Sequence, residues 1–238
     1  MAHLKGQEKA DYVQDMFGRV AERYNTLNRV MSLGQDMKWR KYVVKTAQIP
    51  ENGVVVDLAT GTGDIAFEVL KQVPSAQVIG SDFALPMMMV GQRNKEYGQR
   101  ISWCGTDAMN LPHPDQCFDA VISGYLVRNV IDITRTLEEQ LRVLKAGGRV
   151  VILDTSPPPN NLLKPFIKFH LNTIIPILGR IIGGKSAADA YKYLPDSTQA
   201  FKTPEALADL LRQAGFQDVG YKTFMLGTMA VHWGTKPE

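Results

Sequence analysis

Cysteine is nearly missing from this chain: Cys104 and Cys117 are the only two in 238 residues. Two thiols exclude a disulfide-stapled fold and any four-cysteine zinc site, and they suit a reducing compartment. Histidine is scarce too. His3, His113, His170 and His232 show no metal-ligand spacing, so no metal site is expected. No apolar run reaches the ~20 residues that span a bilayer. The opening MAHLKGQEKADYV has no apolar stretch of the kind a secretion signal carries. Nor is one sign of charge in large excess, since 27 Lys+Arg against 24 Asp+Glu leave +3. A balance so thin argues against tracking nucleic-acid phosphates, which takes a concentrated basic face. There is no internal repeat and no low-complexity tract. What is present is 45% apolar and 21% charged residues, enough chain for one large domain with a substantial core. The expected location is the cytoplasm, with contact at a membrane surface left open.

Apolar periodicity predicts helix from about 8 to 48, broken near Ser32–Asp36, with a second helix carrying Trp39, Tyr42 and Val43. Strands are expected at 54–58, 77–80, 101–104, 118–122 and 149–153. Helices are expected between them at 64–73, 85–97 and 133–145, the last stopped by Gly147-Gly148. This alternation predicts an α/β fold, a doubly wound and mostly parallel seven-stranded sheet. Residues 155–201 break the rhythm with prolines and paired glycines. Thr203-Pro204 then opens a helix that Gly215 stops. Two last strands, about 218–225 and 228–234, form a hairpin turned at Leu226-Gly227. The whole of 1–238 is expected to be one domain, with 1–48 as a helical cover and 155–201 as an insertion or lid.

The segment Asp57-Leu58-Ala59-Thr60-Gly61-Thr62-Gly63-Asp64 follows a strand and opens a helix. Glycines there admit positive φ and close approach of a ligand to the backbone, and the helix start offers free N–H groups. Asp82, at the end of the second strand, is placed to accept from ribose hydroxyls. Two nucleotide-like cofactors compete. Gly61-x-Gly63-x-x-Ala66 with Asp82 formally fits a nicotinamide dinucleotide fingerprint. Asp57 ahead of the glycines, and Asp107 after the third strand where it could accept from an adenine amine, fit S-adenosylmethionine better.

VVDLATGTGD, Asp82, TDAMNLP, FDAVIS and LKAGGRVVIL resemble, in order and spacing, the class I S-adenosylmethionine-dependent methyltransferases. Within that superfamily the chain resembles the ubiquinone/menaquinone biosynthesis C-methyltransferase family along nearly its whole length. Phe17-x-x-Val20-Ala21-x-x-Tyr24-Asn25, Trp39-Arg40, Arg128-Asn129-Val130, Tyr191-Lys192-Tyr193-Leu194 and Ala230-Val231-His232 carry that likeness. The resemblance implies cofactor contacts from Asp57, Ala59, Thr60, Gly61, Thr62 and Gly63, from Asp82 and Phe83 at the ribose, and from Asp107 and Ala108 at the adenine. Met87 falls where an apolar side chain commonly packs on the adenine, although Met87, Met88 and Met89 also read as an adaptable helix face. The family's Ser-Phe-Gly-Leu-Arg-Asn is Gly124-Tyr125-Leu126-Val127-Arg128-Asn129 here, so its serine contact is lost or moved to Ser123 beside Gly124. Asn25 stands where Asp is frequent, Asp36 where His is frequent, and Asp154-x-Ser156 replaces Glu-x-Ser.

For an aromatic carbon to attack a methyl group, a neighbouring hydroxyl must ionise. Arg128 is the expected stabiliser of that phenolate, with a structural ion pair as the alternative. Asn129 is expected to orient the oxygen, and Asp36 to act as base unless it caps the following helix. Tyr24, Tyr125, Tyr191 and Tyr193 are expected at the substrate, joined by His170 if the insertion is a lid. His232 reads as a satisfied core or edge residue. The stretch from Leu162 to Ile182 holds twelve leucine, isoleucine and phenylalanine residues. It reads as a helix pair over the pocket and also as a surface for a prenyl tail at a bilayer, with Lys164, Lys168 and Arg180 toward headgroups. The expected acceptor is a quinol, demethylmenaquinol or a polyprenyl benzoquinol. A small phenolic or polyketide acceptor, a nicotinamide oxidoreductase and a cofactor-holding module without turnover are the alternatives. Expected partners are that small molecule, a membrane surface through 162–182 and a second copy of the chain; nucleic acid is not among them.

Overall fold

The computed structural model describes residues 6–162, 164–178 and 188–238, with the side chains of 188–192 outside the described set. The sheet forms around β1 (Val54–Leu58), whose near-continuous apolar run suits a strand covered on both faces. It pairs in parallel with β2 (Gln77–Asp82) and β4 (Phe118–Gly124). Adding β3 (Ile101–Gly105), β5 (Leu144–Thr155), β6 (Gln217–Phe224) and β7 (Met229–Thr235) gives seven strands in the order β3-β2-β1-β4-β5-β7-β6. Only the pairings of β7, with β5 and β6, are antiparallel. The expected class is therefore observed.

Each face carries its own core. On one, Val55, Ile122 and Val151 meet α3 (Asp36–Ala47) and α4 (Asp64–Gln72) through Val43, Phe67 and Val69. On the other, Val56, Val121 and Ile152 meet Leu137 of α6 (Ile133–Val143) and Leu207 and Leu211 of α9 (Pro204–Gln213). Thr203 caps α9 by accepting from the Ala206 amide at 3.3 Å, with Pro204 in the first turn, as its sequence predicts. Gly215, at φ 103°, closes the other end.

Several boundaries differ from the sequence expectation, each for a local reason. Gly147-Gly148 does not stop α6. The helix ends at Val143, and Leu144, fully buried, already pairs with Phe118. The glycines instead form an irregularity inside β5, held by reciprocal backbone bonds with Lys236. Helix α5 (Leu85–Gln92) stops five residues short of 97, because the Asn94 side chain accepts from the Glu96 and Tyr97 amides and builds a separate turn. The final hairpin is not a two-residue turn: Met225, Leu226 and Gly227 all take positive φ.

The coverings sit at the carboxyl end of the parallel strands. A 3-10 turn at Ala21–Arg23 divides the first predicted helix into α1 (Gly6–Val20) and α2 (Tyr24–Met31). The insertion supplies α7 (Lys164–Phe169), a π-helical turn at His170–Ile174, and α8 (Ala188–Ala200). Ile167, Leu171 and Ile175 pack with Val20 and Leu27, with Leu194 against them, so the insertion seats on the amino-terminal cover. Leu163 and 179–187 lie outside the described residues, and with them Arg180. Among the described residues no helix is long and apolar enough to cross a membrane.

Candidate functional site

The turn from β1 into α4 is held by carboxylates from beneath. Asp57 is fully buried; its carboxylate accepts from the Thr60 hydroxyl at 2.8 Å and the Ala66 amide at 3.2 Å. Burial pushes this carboxyl up to about 7. Asp82 accepts from the Gly61 and Ala84 amides, both at 2.8 Å, and burial pushes it up to about 6. Ala59, Gly61 and Gly63 all take positive φ. A Cβ on Gly63 would lie 2.8 Å from the Trp103 ring, and one on Gly61 3.2 Å from the Met87 methyl. The backbone is therefore drawn tightly around a cleft of about 60 Å³ lined by Ala59, Thr60, Gly61, Thr62, Asp82, Phe83, Met87 and Gly124. Met87 thus belongs to the cleft wall and is also buried.

Asp57 and Gly63 shape the turn from behind the lining, and three further expected cofactor residues stand apart from this wall. Asp107 is exposed and turns its carboxylate to the Met109 amide at 2.9 Å, in a small bridged turn with Asn110. Ala108 packs into the core beneath, with Leu111 and Phe118. Ser123 is buried within β4 between Leu58 and Ile152, its hydroxyl without a partner among the described residues.

A second, wider cavity of about 620 Å³ adjoins the cleft. Phe17, Tyr24 and Tyr125 line both. Tyr125, just past β4, holds a left-handed φ of 60°, a strain that clusters at functional sites. Burial pushes its hydroxyl up strongly, and that of Tyr24 too. Arg128 lines the cavity, its guanidinium 5.1 Å from the Tyr125 ring centre. It is ion-paired to Asp154 at 2.6 Å, while its Nε has no partner among the described residues. Burial works against the charge on Arg128, and the Asp154 carboxylate outweighs it. Arg128 thus makes the ion pair that the sequence offered as the alternative reading, and it also lines the cavity. Asn129 donates to the Tyr125 carbonyl at 2.7 Å and accepts from the Tyr193 hydroxyl at 3.0 Å. His170 lines the cavity; the Tyr191 side chain lies outside the described residues. His232 is buried on β7, its Nε2 3.0 Å from the Pro204 carbonyl.

Asp36 is not among the cavity-lining residues. It pairs with Arg40 at 3.0 Å and accepts from the Ser32 hydroxyl at 3.0 Å, at the start of α3. Arg40 also pairs with Asp64. The Asn25 amide donates to Asp64 at 3.2 Å, and its carbonyl oxygen accepts from the Thr62 hydroxyl at 2.7 Å. A polar chain thus runs from the glycine turn into the amino-terminal cover. Sequence reasoning missed Asn25, Arg40 and Asp64 as site residues, although all three stand in the motifs that carry the family likeness. It also missed Lys9, whose ammonium donates to the Arg128 and Val130 carbonyls at 3.1 and 2.9 Å. Burial lowers the Lys9 ammonium below its ordinary range.

The strand order, the reversed last pair and the cleft at the carboxyl ends of β1, β2 and β4 define a class I S-adenosylmethionine-dependent methyltransferase. The nicotinamide alternative fails here, since the dinucleotide fold runs 3-2-1-4-5-6 without a reversed strand inserted before the last. The site residues fit the methyl donor: the glycines let the turn pack against Trp103 and Met87 with bare backbone at the cleft, and the buried Asp82 carboxylate holds the Gly61 amide. The chain belongs to the ubiE/COQ5 methyltransferase family, whose model matches residues 4–236. It is 50% identical over 228 residues to the ubiquinone/menaquinone biosynthesis C-methyltransferase UbiE of Desulfotalea psychrophila, covering 96% of this chain and 92% of that one. It is 40% identical to the demethylmenaquinone methyltransferase of Roseiflexus castenholzii, covering 96% and 95%. Among solved structures it resembles phosphoethanolamine N-methyltransferase 2 of Haemonchus contortus with S-adenosyl-L-methionine. That match has a TM-score of 0.62 at 16% identity and covers 84% of this chain and 53% of that one, a likeness of fold.

Proposed function

We propose that the protein transfers the methyl group of S-adenosylmethionine to a ring carbon of a quinol, a demethylmenaquinol or a polyprenyl benzoquinol. The observation that carries this reading is the large, mostly apolar cavity that shares three aromatic walls with the cofactor cleft and has Arg128 on its lining. The names of the full-length relatives support it. When bound, the cofactor supplies a methyl group on a sulfonium that leaves as a neutral thioether. The protein's own part is to hold the ring in line with that methyl group and to stabilise the phenolate. Arg128 serves the second task with donors that Asp154 leaves free. Asn129, fixed between Tyr125 and Tyr193, orients the ring oxygen, and Tyr24 and Tyr125 flank the ring.

The prenyl tail lies along Ile167, Leu171 and Ile175 toward the insertion, where Leu162, Phe166, Phe169 and Ile177 are exposed. With Lys164 and Lys168 beside them, these side chains suit a peripheral contact with an anionic leaflet. The whole chain, 1–238, then works as one domain at the cytoplasmic membrane face. The test is a methyl-transfer assay on a panel of reduced quinones and small phenols, with mass spectra of the products. Ring-methylated quinols are expected; turnover of small phenols alone refutes the reading.

A further inference from the structure

We propose that Lys9 is a positioning residue for the methyl transfer: it holds the backbone of Arg128 and so aims the guanidinium at the cavity. The assignment rests on the role given to Arg128 above. Lys9 stands in the first turn of α1. Its half-buried side chain donates to the Arg128 carbonyl at 3.1 Å and to the Val130 carbonyl at 2.9 Å. The Asp154 carboxylate accepts from the amide of the same Arg128 at 3.1 Å. The peptide groups on both sides of the Arg128 Cα are thus gripped, one from β5 and one from α1. A residue has only two soft backbone dihedrals, so this double grip also fixes the direction in which the side chain leaves the chain.

The local setting works against this placement of Lys9. A cation in the first turn of a helix opposes the helix dipole. Burial, and then the charge of Arg128, push its ammonium below the ordinary lysine range. What holds it there is the pair of carbonyls, which an ammonium with three donors can satisfy at once, through charge-assisted bonds of the stronger kind. Those carbonyls belong to the residues on either side of Asn129.

Asn129 is held by the same helix at one remove. Its side-chain oxygen accepts from the Tyr193 hydroxyl at 3.0 Å, and the Tyr193 ring packs on Tyr12 with 5.9 Å between ring centres. Tyr12 lies three residues beyond Lys9 and so on the same side of α1. Further along, the Gln14 amide donates at 2.6 Å to the carbonyl of Phe83, which lines the cofactor cleft. One helix therefore sets Arg128, Asn129 and the cleft wall relative to one another. A misplacement of about 1 Å in such an arrangement can cost on the order of 100-fold in rate.

The test is a double-mutant cycle on kcat with the wild-type protein, Lys9→Met, Arg128→Ala and the combined variant. The acceptor is a reduced quinone, or the accepted phenol if only small phenols react, an outcome that refutes the quinol reading and leaves the cycle decisive for Lys9. Methionine keeps the apolar stem and removes the donors. Binding of S-adenosylhomocysteine by calorimetry checks that each variant is folded, and Lys9→Gln takes the place of Lys9→Met if that variant fails the check. Lys9→Met is expected to lower kcat about 10- to 100-fold with KM changed less than about threefold. In the Arg128→Ala background the same substitution is expected to lower kcat by less than about twofold. A lysine that only steadied the fold would act by the same factor in both backgrounds. Equal factors, a kcat of Lys9→Met within about threefold of wild type, or a rise in KM alone overturns the assignment. If Arg128→Ala itself keeps kcat within about threefold of wild type, the role of Arg128 fails and that of Lys9 with it; equal factors beside an impaired Arg128→Ala refute Lys9 alone.

Discussion

Arg128 and Asp154 meet at 2.6 Å with both side chains buried, and the same carboxylate also accepts from the Arg128 backbone amide at 3.1 Å. One aspartate therefore fixes both the charge and the backbone that carries it. Arg128→Ala is expected to lower kcat about 100- to 1000-fold while leaving S-adenosylhomocysteine affinity nearly unchanged. A large loss of cofactor binding instead reassigns the residue. Asp154→Ala strands a buried cation and is expected to cost about 3–5 kcal/mol in chemical denaturation.

Asp57 and Asp82 make stability depend on pH in an unusual direction. Their folded carboxyls titrate near 7 and 6, above the ordinary 3.8, because burial disfavours the charge. The folded state binds the proton more tightly than the unfolded one. The stabilisation this gives is complete below about pH 4 and is lost as pH rises through about 6 to 7. Asp57→Asn keeps the shape and cannot ionise. Its unfolding free energy relative to wild type is expected to rise by roughly 4 kcal/mol from pH 4 to pH 8. A difference that stays flat across that range refutes the account.

The Thr62–Asn25 hydrogen bond joins the glycine turn to the cover at 2.7 Å. Asn25→Ala removes it and leaves Asp64 with one donor fewer. S-adenosylhomocysteine is expected to bind about 5- to 30-fold more weakly, read by calorimetry, with the sheet's far-UV signature intact. Unchanged affinity shows that the turn holds its shape without the cover.

The exposed apolar side chains of the insertion make a prediction separate from chemistry. The protein is expected to co-float with anionic vesicles, less so at high salt. Phe169→Ser with Ile177→Ser, neither of which lines the cavity, is expected to weaken vesicle binding about tenfold while leaving methylation of a tail-less quinol unchanged. Full retention of vesicle binding sinks the membrane contact.

The sheet was legible because its determinants are local. Val54–Leu58 reads as a buried strand and Thr203-Pro204 as a helix start wherever they occur. The turn from strand through glycines into helix was legible for the same reason. What escaped depends on partners distant in sequence. Asn25 and Thr62 are 37 residues apart, and Lys9 meets the Arg128 carbonyl across 119. Gly147-Gly148 misled because Leu144 found a place in the core of the second face, and that burial outweighed the propensity of the preceding turns. Asp107 stands at the right point in the chain, yet a two-residue hop to the Met109 amide captures its carboxylate.

Phe17, Tyr24 and Tyr125 separate the cleft from the cavity, and two of the three come from the first 24 residues. The partition between the two compartments is thus largely lent by a segment that adds no strand to the sheet. Trimming that segment is expected to merge the two chambers into one, open to water beside the cofactor cleft. Acceptor range can accordingly be retuned by changing ring size at the amino terminus, with every strand left as it is.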